Sequence, residues 1–155
     1  MDEFRRHLIE PEIVELYDYW CARRGGRAAP SRKDVDPVQI PRHLPNLMLI
    51  DVLRDPLRFR YRLVGTRVVT ASAEDRTGQF FDQVRFLNAN PAVVKHYQTV
   101  ANDATPHYAL EPFHNWQRDS TYQVQRLLLP LSSDGTTVDM ILVYFHFKTG
   151  PYAGR

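Results

Sequence analysis

Residues 47–64 read LMLIDVLRDPLRFRYRLV, and their patterning decides the fold class. Leu47 to Leu53 is apolar on both faces except for Asp51, as in a strand buried on both sides. Arg54-Asp55-Pro56 is a turn signal. From Phe59 to Val64 the chain alternates, with Phe59, Tyr61 and Leu63 on one side and Arg58, Arg60 and Arg62 on the other. The two runs predict a β-hairpin.

Downstream, Gly65-Thr66 closes the second strand, and Thr66 is placed to cap a short helix from Arg67 to about Ala73. Gly78 interrupts the next stretch. Asn90-Pro91 is a helix start, followed by an apolar stripe of Val93, Val94, Tyr97, Val100, Ala101 and Ala104 at helical spacing, and Thr105-Pro106 ends it. The rest reads as strand: Tyr108 to Trp116, with Pro112 marking an edge or a bulge, then Thr121 to Leu131, and Thr137 to Phe147 after an Asp134-Gly135 hairpin signal. Upstream, Pro11 opens a helix whose Ile13, Leu16, Tyr17 and Trp20 share one face, and Gly25-Gly26 stops it. A connector punctuated by Pro30, Pro37, Pro41 and Pro45 follows, in which Asp36-Pro37 can cap one helical turn. The order predicts an α+β domain: a five-stranded antiparallel sheet with helices on one face and an N-terminal helix. One domain is expected, with residues 1–46 packed on a core at 47–149 and a tail at 150–155 that frays.

Composition narrows the function classes. With 43% hydrophobic and 25% charged residues, 155 residues make one globular domain. Lys+Arg at 20 against Asp+Glu at 18 leaves no field to draw in nucleic acid or anionic lipid. Cys21 is the sole cysteine, so an internal disulfide and a multi-thiolate metal site are excluded, and a reducing compartment fits. The start, MDEFRRHLIEPE, has no apolar signal region, and the apolar run Met140 to Phe145 is too short to span a bilayer. A cytoplasmic protein without a membrane partner is expected.

A chain-long set of motifs carries a family likeness. It comprises Tyr19-Trp20, Gly25-Gly26-Arg27, Pro30-Ser31-Arg32, Asp36-Pro37, Ile40-Pro41, Leu44-Pro45, Asp51-Val52, Arg60-Tyr61-Arg62-Leu63, Gly65-Thr66, Thr77-Gly78, Leu129-Pro130-Leu131 and Asp134-Gly135. In this order the motifs resemble a family of single-domain PAS proteins found mostly in alphaproteobacteria. The resemblance implies a five-stranded PAS sheet preceded by an N-terminal helix. It also implies sensing or regulation in general terms, without naming a ligand.

Enzymatic chemistry is not expected. No serine sits in a G-x-S-x-G elbow, and H-E-x-x-H, P-loop and G-x-G-x-x-G motifs are missing from the sequence. The histidines His7, His43, His96, His107, His114 and His146 show no i, i+4 pair on a helix, so no metal site is assigned. Some PAS domains hold haem through a histidine on the long helix. Here His96 lies about 100° from Tyr97 on the helical wheel, flanking the apolar stripe, which speaks against haem. Arg85-Phe86-Leu87-Asn88 resembles the end of the light-sensing motif of flavin-binding PAS domains, but the photoadduct cysteine position is Val84, which speaks against flavin photochemistry.

In a PAS fold one sheet face lines a pocket under the helices. The resemblance therefore points to Tyr61, Leu63, Tyr97, Tyr108, His114, Trp116, Tyr122, Arg126 and Tyr144, with His107 beside them, as candidate pocket residues for a small organic ligand. Plain core packing is the competing reading. The stripe of Arg58, Arg60 and Arg62 reads as a solvated, salt-bridged face, with Arg62 assigned to an ion pair with Asp51. Because Met140 to Phe147 is apolar on both faces, the outer sheet face needs a cover, which argues for a homodimer or a docked protein partner. The expected function is a sensory or regulatory module that signals by protein contact, with a ligand-free dimerisation or interaction domain as the alternative. A small-molecule enzyme is the least favoured reading.

Overall fold

The computed structural model describes residues 2–155. Its helices are α1 (Glu3–Arg6), α2 (Pro11–Arg24), α3 (Thr66–Ser72), α4 (Arg85–Asn88) and α5 (Pro91–Asp103). Its strands are β1 (Leu47–Leu53), β2 (Arg58–Val64), β3 (His107–Asn115), β4 (Ser120–Leu131) and β5 (Met140–Phe147). The strands form one antiparallel sheet in the order β2-β1-β5-β4-β3.

The two sheet faces carry separate apolar clusters. On the inner face Ile50, Phe59, Val124, Leu128, Val143 and Phe145 pack against Tyr97 and Val100 of α5 and Val68 of α3. On the outer face Leu47, Leu49, Leu127, Leu129, Leu142 and Tyr144 pack against Ile13, Leu16, Tyr17 and Trp20 of α2. The outer face of β5 is therefore covered by the chain's own helix, and the cover needs no second subunit. Three hydrogen bonds pin this arrangement. The Trp20 indole N–H donates to Pro130 O at 2.8 Å, the Asn46 side-chain amide donates to Phe145 O at 2.7 Å, and Arg67 donates to Asn46 Oδ1 at 2.7 Å. The connector contains short 3-10 turns at Arg32–Asp34, Pro37–Gln39 and Leu44–Asn46, and Asp36 caps the second by accepting from the Val38 N–H at 3.0 Å.

Several local readings are corrected. The cap of α3 is Gly65, and Thr66 is the first helical residue. The Asp134-Gly135 signal lies within a longer loop spanning residues 132–139. There Asp134 accepts from the Thr136 and Thr137 N–H groups at 2.8 and 2.7 Å, and β5 begins only at Met140. A side chain that recruits backbone donors in this way favours the wider loop over a two-residue turn. Pro112 sits on β3, an edge strand, opposite Gln123 in an unbroken register, so it marks an edge and not a bulge. The irregularity is in β2. Leu49 pairs with Leu63 and Ile50 with Tyr61, leaving Arg62 as the extra residue of a bulge. The residues after 149 turn back on the sheet, the Gly154 N–H donating to Phe147 O at 2.8 Å and Tyr152 packing on the inner cluster.

Candidate functional site

A small cavity of about 70 Å³ lies between the inner sheet face and helices α3, α4 and α5. Met48 of β1, Tyr61 of β2, Phe113 of β3, Arg126 of β4 and Phe145 of β5 form its floor, and Val68, Val84, Leu87, Val93 and Tyr97 its roof. At its mouth Arg76 lies over the Trp116 ring, 4.6 Å from the centroid, while His114 stacks on Phe86 at 5.2 Å and meets Trp116 edge-on at 4.5 Å. The end of β3 is held there by Asn115, which donates to Ala71 O at 2.8 Å, and by the Trp116 N–H, which donates to Ser72 O at 2.8 Å.

Of the candidate pocket residues, Tyr61, Tyr97, His114, Trp116 and Arg126 line this cavity. The structure places the others elsewhere. Leu63 is flipped to the outer side by the bulge at Arg62, since its partner Leu49 belongs to the outer cluster. Tyr108 and Tyr144 also belong to the outer-face packing, because strand parity places them opposite the inner residues. Tyr122 is on the inner face but lies under the tail, packed beside Gly150. Phe81, Val84 and Phe86 also line the cavity, though none was among the candidate pocket residues. Phe81 contacts both Tyr61 and Tyr97, with ring centroids 4.9 Å apart in each case. Its signal was absent because the stretch between Gly78 and Asn90 carries no clear period.

Deep in the site the polar groups are two tyrosine hydroxyls and a buried ion pair, with Glu74, Arg76 and His114 also in the lining. Burial pushes the Tyr61 hydroxyl up to about 12 and raises Tyr97 further, so both stay protonated near neutral pH. Arg126 pairs through one guanidinium nitrogen with Glu111, and both side chains are almost wholly buried. The guanidinium also lies over the Phe145 ring at 4.9 Å. The Arg126 Nε–H is buried and has no hydrogen-bond partner among the described residues. The other oxygen of Glu111 pairs with His96 Nδ1. His96 and His107 stack with ring centroids 4.0 Å apart, and burial, with His96 adding to it, lowers the His107 pKa.

The basic stripe is salt-bridged, with Arg60 and Arg62 sharing Asp51. Arg58 pairs with Asp82 at 2.7 Å, and Arg60 pairs with Asp51 at 2.9 Å. Arg62, the partner expected for Asp51, stands farther off at 3.8 Å, because the bulge carries it away from the strand's register.

A single antiparallel sheet in the order 2-1-5-4-3, strapped by short helices over one face, defines a small α+β domain. The PAS domain family model matches residues 9–145, and the chain belongs to that family. No curated protein matches the sequence. Among solved structures, a light-oxygen-voltage domain studied with a flavin analogue is similar at 13% identity and TM-score 0.56, with 75% of this chain and 86% of that chain covered. The light-state structure of the blue-light photoreceptor Aureochrome1 LOV is similar at 15% identity and TM-score 0.53, with 74% and 89% covered. The LOV protein of Rhodobacter sphaeroides is similar at 12% identity and TM-score 0.51, with 73% and 68% covered. At these identities the likeness shows the fold.

The cavity does not fit a flavin. Its volume of about 70 Å³ is far below the roughly 300–1,000 Å³ of sites for ligands of that size. Val84, which the motif resemblance sets at the photoadduct position, lines the cavity with an alkyl group, and Cys21 is on α2 at the outer face. His96 does not line the cavity, so it offers no axial ligand there to a haem. Among the described residues no helix is long and apolar enough to cross a membrane.

Proposed function

We propose that the chain is a regulatory PAS module that works by protein contact, with a second copy of itself as partner. The observation that carries this reading is the contrast between the two faces. The inner cavity, at about 70 Å³, has room for a few water molecules. An apolar groove of about 420 Å³ lies instead on the outer side of the β1–β2 edge, lined by Val35, Ile40, Leu44, Leu47, Leu49, Leu63 and Leu142. Leu44 and Leu63 on its rim are 39% and 47% exposed, and the neighbouring Val38 is 83% exposed. Exposed apolar side chains gathered at a groove mark a surface that gains by being covered. The motif pattern further supports a bacterial, cytoplasmic protein of the single-domain PAS type, with no catalytic role.

Light scattering on the purified chain tests this reading. A dimer is expected at tens of micromolar, and Leu63→Glu, which alters only an exposed side chain, is expected to give a monomer with an unchanged circular dichroism spectrum. A monomer at high concentration in the unmodified chain overturns the dimer.

A second reading, a small-molecule sensor, is favoured by the unpartnered Arg126 Nε–H, a donor that a carboxylate or carbonyl ligand would satisfy. It requires α3 to α5 to move outward. A reproducible retained mass in native mass spectrometry favours the sensor, and its absence favours the contact module.

A further inference from the structure

Two clusters among the described residues bring three metal-ligating side chains together, with donor atoms within 4.8 Å of one another: His96, His107 and Glu111, and Glu10, Glu12 and His146. The second has one imidazole, and the Lys148 ammonium, 3.3 Å from Glu10 Oε1, already pairs with one of its two carboxylates. The first has two imidazoles and a carboxylate, the donor set that suits a borderline divalent ion.

We propose that His96, His107 and Glu111 bind a divalent transition-metal ion, with Zn²⁺ the first to test, and that water completes its coordination. Four features of the geometry carry this. The two imidazoles come from different elements, α5 and β3, and already stack with ring centroids 4.0 Å apart. His107 Nε2 is buried with no hydrogen-bond partner among the described residues, an exception to the rule that buried polar atoms are paired. An ion would supply the missing partner. Glu111 is held from behind by Arg126, which takes one carboxylate oxygen and leaves the other on the His96 side. Such outer contacts orient a ligating carboxylate. His96 is about one-third exposed, so an ion has a path in and a water has room to bind. Tetrahedral zinc sets its donor atoms roughly 3.4 Å apart, and the donors here already lie within 4.8 Å of one another. The bound ion would staple α5 to β3, and α5 carries Tyr97 on the cavity roof.

The test uses the full chain, free of any affinity tag and stripped with a chelator, titrated with ZnCl₂ by isothermal calorimetry. One equivalent is expected to bind. His96→Gln and His107→Gln are each expected to weaken binding by about tenfold or more, since even outer-contact changes cost that much. His7→Gln, at an exposed position outside the cluster, should leave it unchanged. Glu111→Gln is avoided because it would leave the buried Arg126 charge unpaired. Hydrogen exchange of the unmodified chain gives a readout without any variant: Zn²⁺ should slow exchange in α5 and at residues 107–111. Absence of saturable binding at about 100 μM Zn²⁺, undiminished affinity in both histidine variants, or unchanged exchange in those segments overturns the proposal.

Discussion

Gly65 occupies a place where a side chain has no room. A Cβ there would lie 2.5 Å from Leu44 O, 2.6 Å from Pro45 O and 2.8 Å from Leu47 O. All three are backbone atoms that cannot swing aside, and the Gly65 N–H itself donates to Leu47 O at 2.7 Å. Gly65→Ala is therefore expected to lower the unfolding free energy by about 3 kcal/mol, measured by urea denaturation. An unchanged midpoint would show that the connector can shift. Asp134 is a second residue with a measurable role. The Thr137 and Thr136 N–H groups, then the Ser132 hydroxyl, hold its carboxyl down from 3.8 to about 2. A carboxyl depressed in the folded state stabilises the fold above pH 3.8, and that contribution is lost as pH falls towards 2. Asp134→Asn should flatten the fall in melting temperature across that window, and equal slopes for both proteins would remove the role. The sequence pointed to Asp134 as a turn residue, but it could not show that the side chain organises a loop running from 132 to 139.

At the scale of elements, the docking of α2 on the outer face is the contact most open to test. Trp20 is buried, and its N–H reaches Pro130 O across the sheet. Trp20→Phe keeps an aromatic ring but removes that donor, and the unfolding free energy should drop by about 1–3 kcal/mol. A loss too small to measure would mean that the carbonyl is satisfied without the indole. The apolar face of this helix was legible from Ile13, Leu16, Tyr17 and Trp20, because an exposed helix with one buried stripe has a readable period. The stripe of α5 was legible for the same reason. The strands were harder. Tyr61 and Leu63 share parity in the sequence, yet one extra residue at Arg62 sends them to opposite faces. A bulge leaves no mark in an alternating run. In β5 both faces are buried, so Tyr144 carried no sign of which side it would take, whereas Arg126 shares parity with Tyr122 and Val124 in the alternating half of β4. Tyr144 lies opposite Leu127 and joins it on the outer face. The cluster of His96, His107 and Glu111 was invisible for another reason: a helix and a strand supply it, and spacing rules search within one element.

For the whole molecule, α+β class and strand count followed from the order of elements, while the balance between its two faces did not. The sheet is a partition between two apolar layers, with only a small void on the helix side and an open groove on the other. The likeness to light-oxygen-voltage domains is thus one of architecture, since the packing of Phe81, Val84 and Tyr97 closes the space that a large cofactor would need. The strand order also has a bearing on synthesis. β1, made early, has β5 as one of its two neighbours, and β5 is the last strand of this sheet in chain order. Until residues 140–147 emerge, the hairpin of β1 and β2 and the hairpin of β3 and β4 have no strand to join them, and each exposes an apolar edge. Co-translational folding must therefore wait for the final strand, and the nascent chain should depend on chaperones that shield such edges up to that moment.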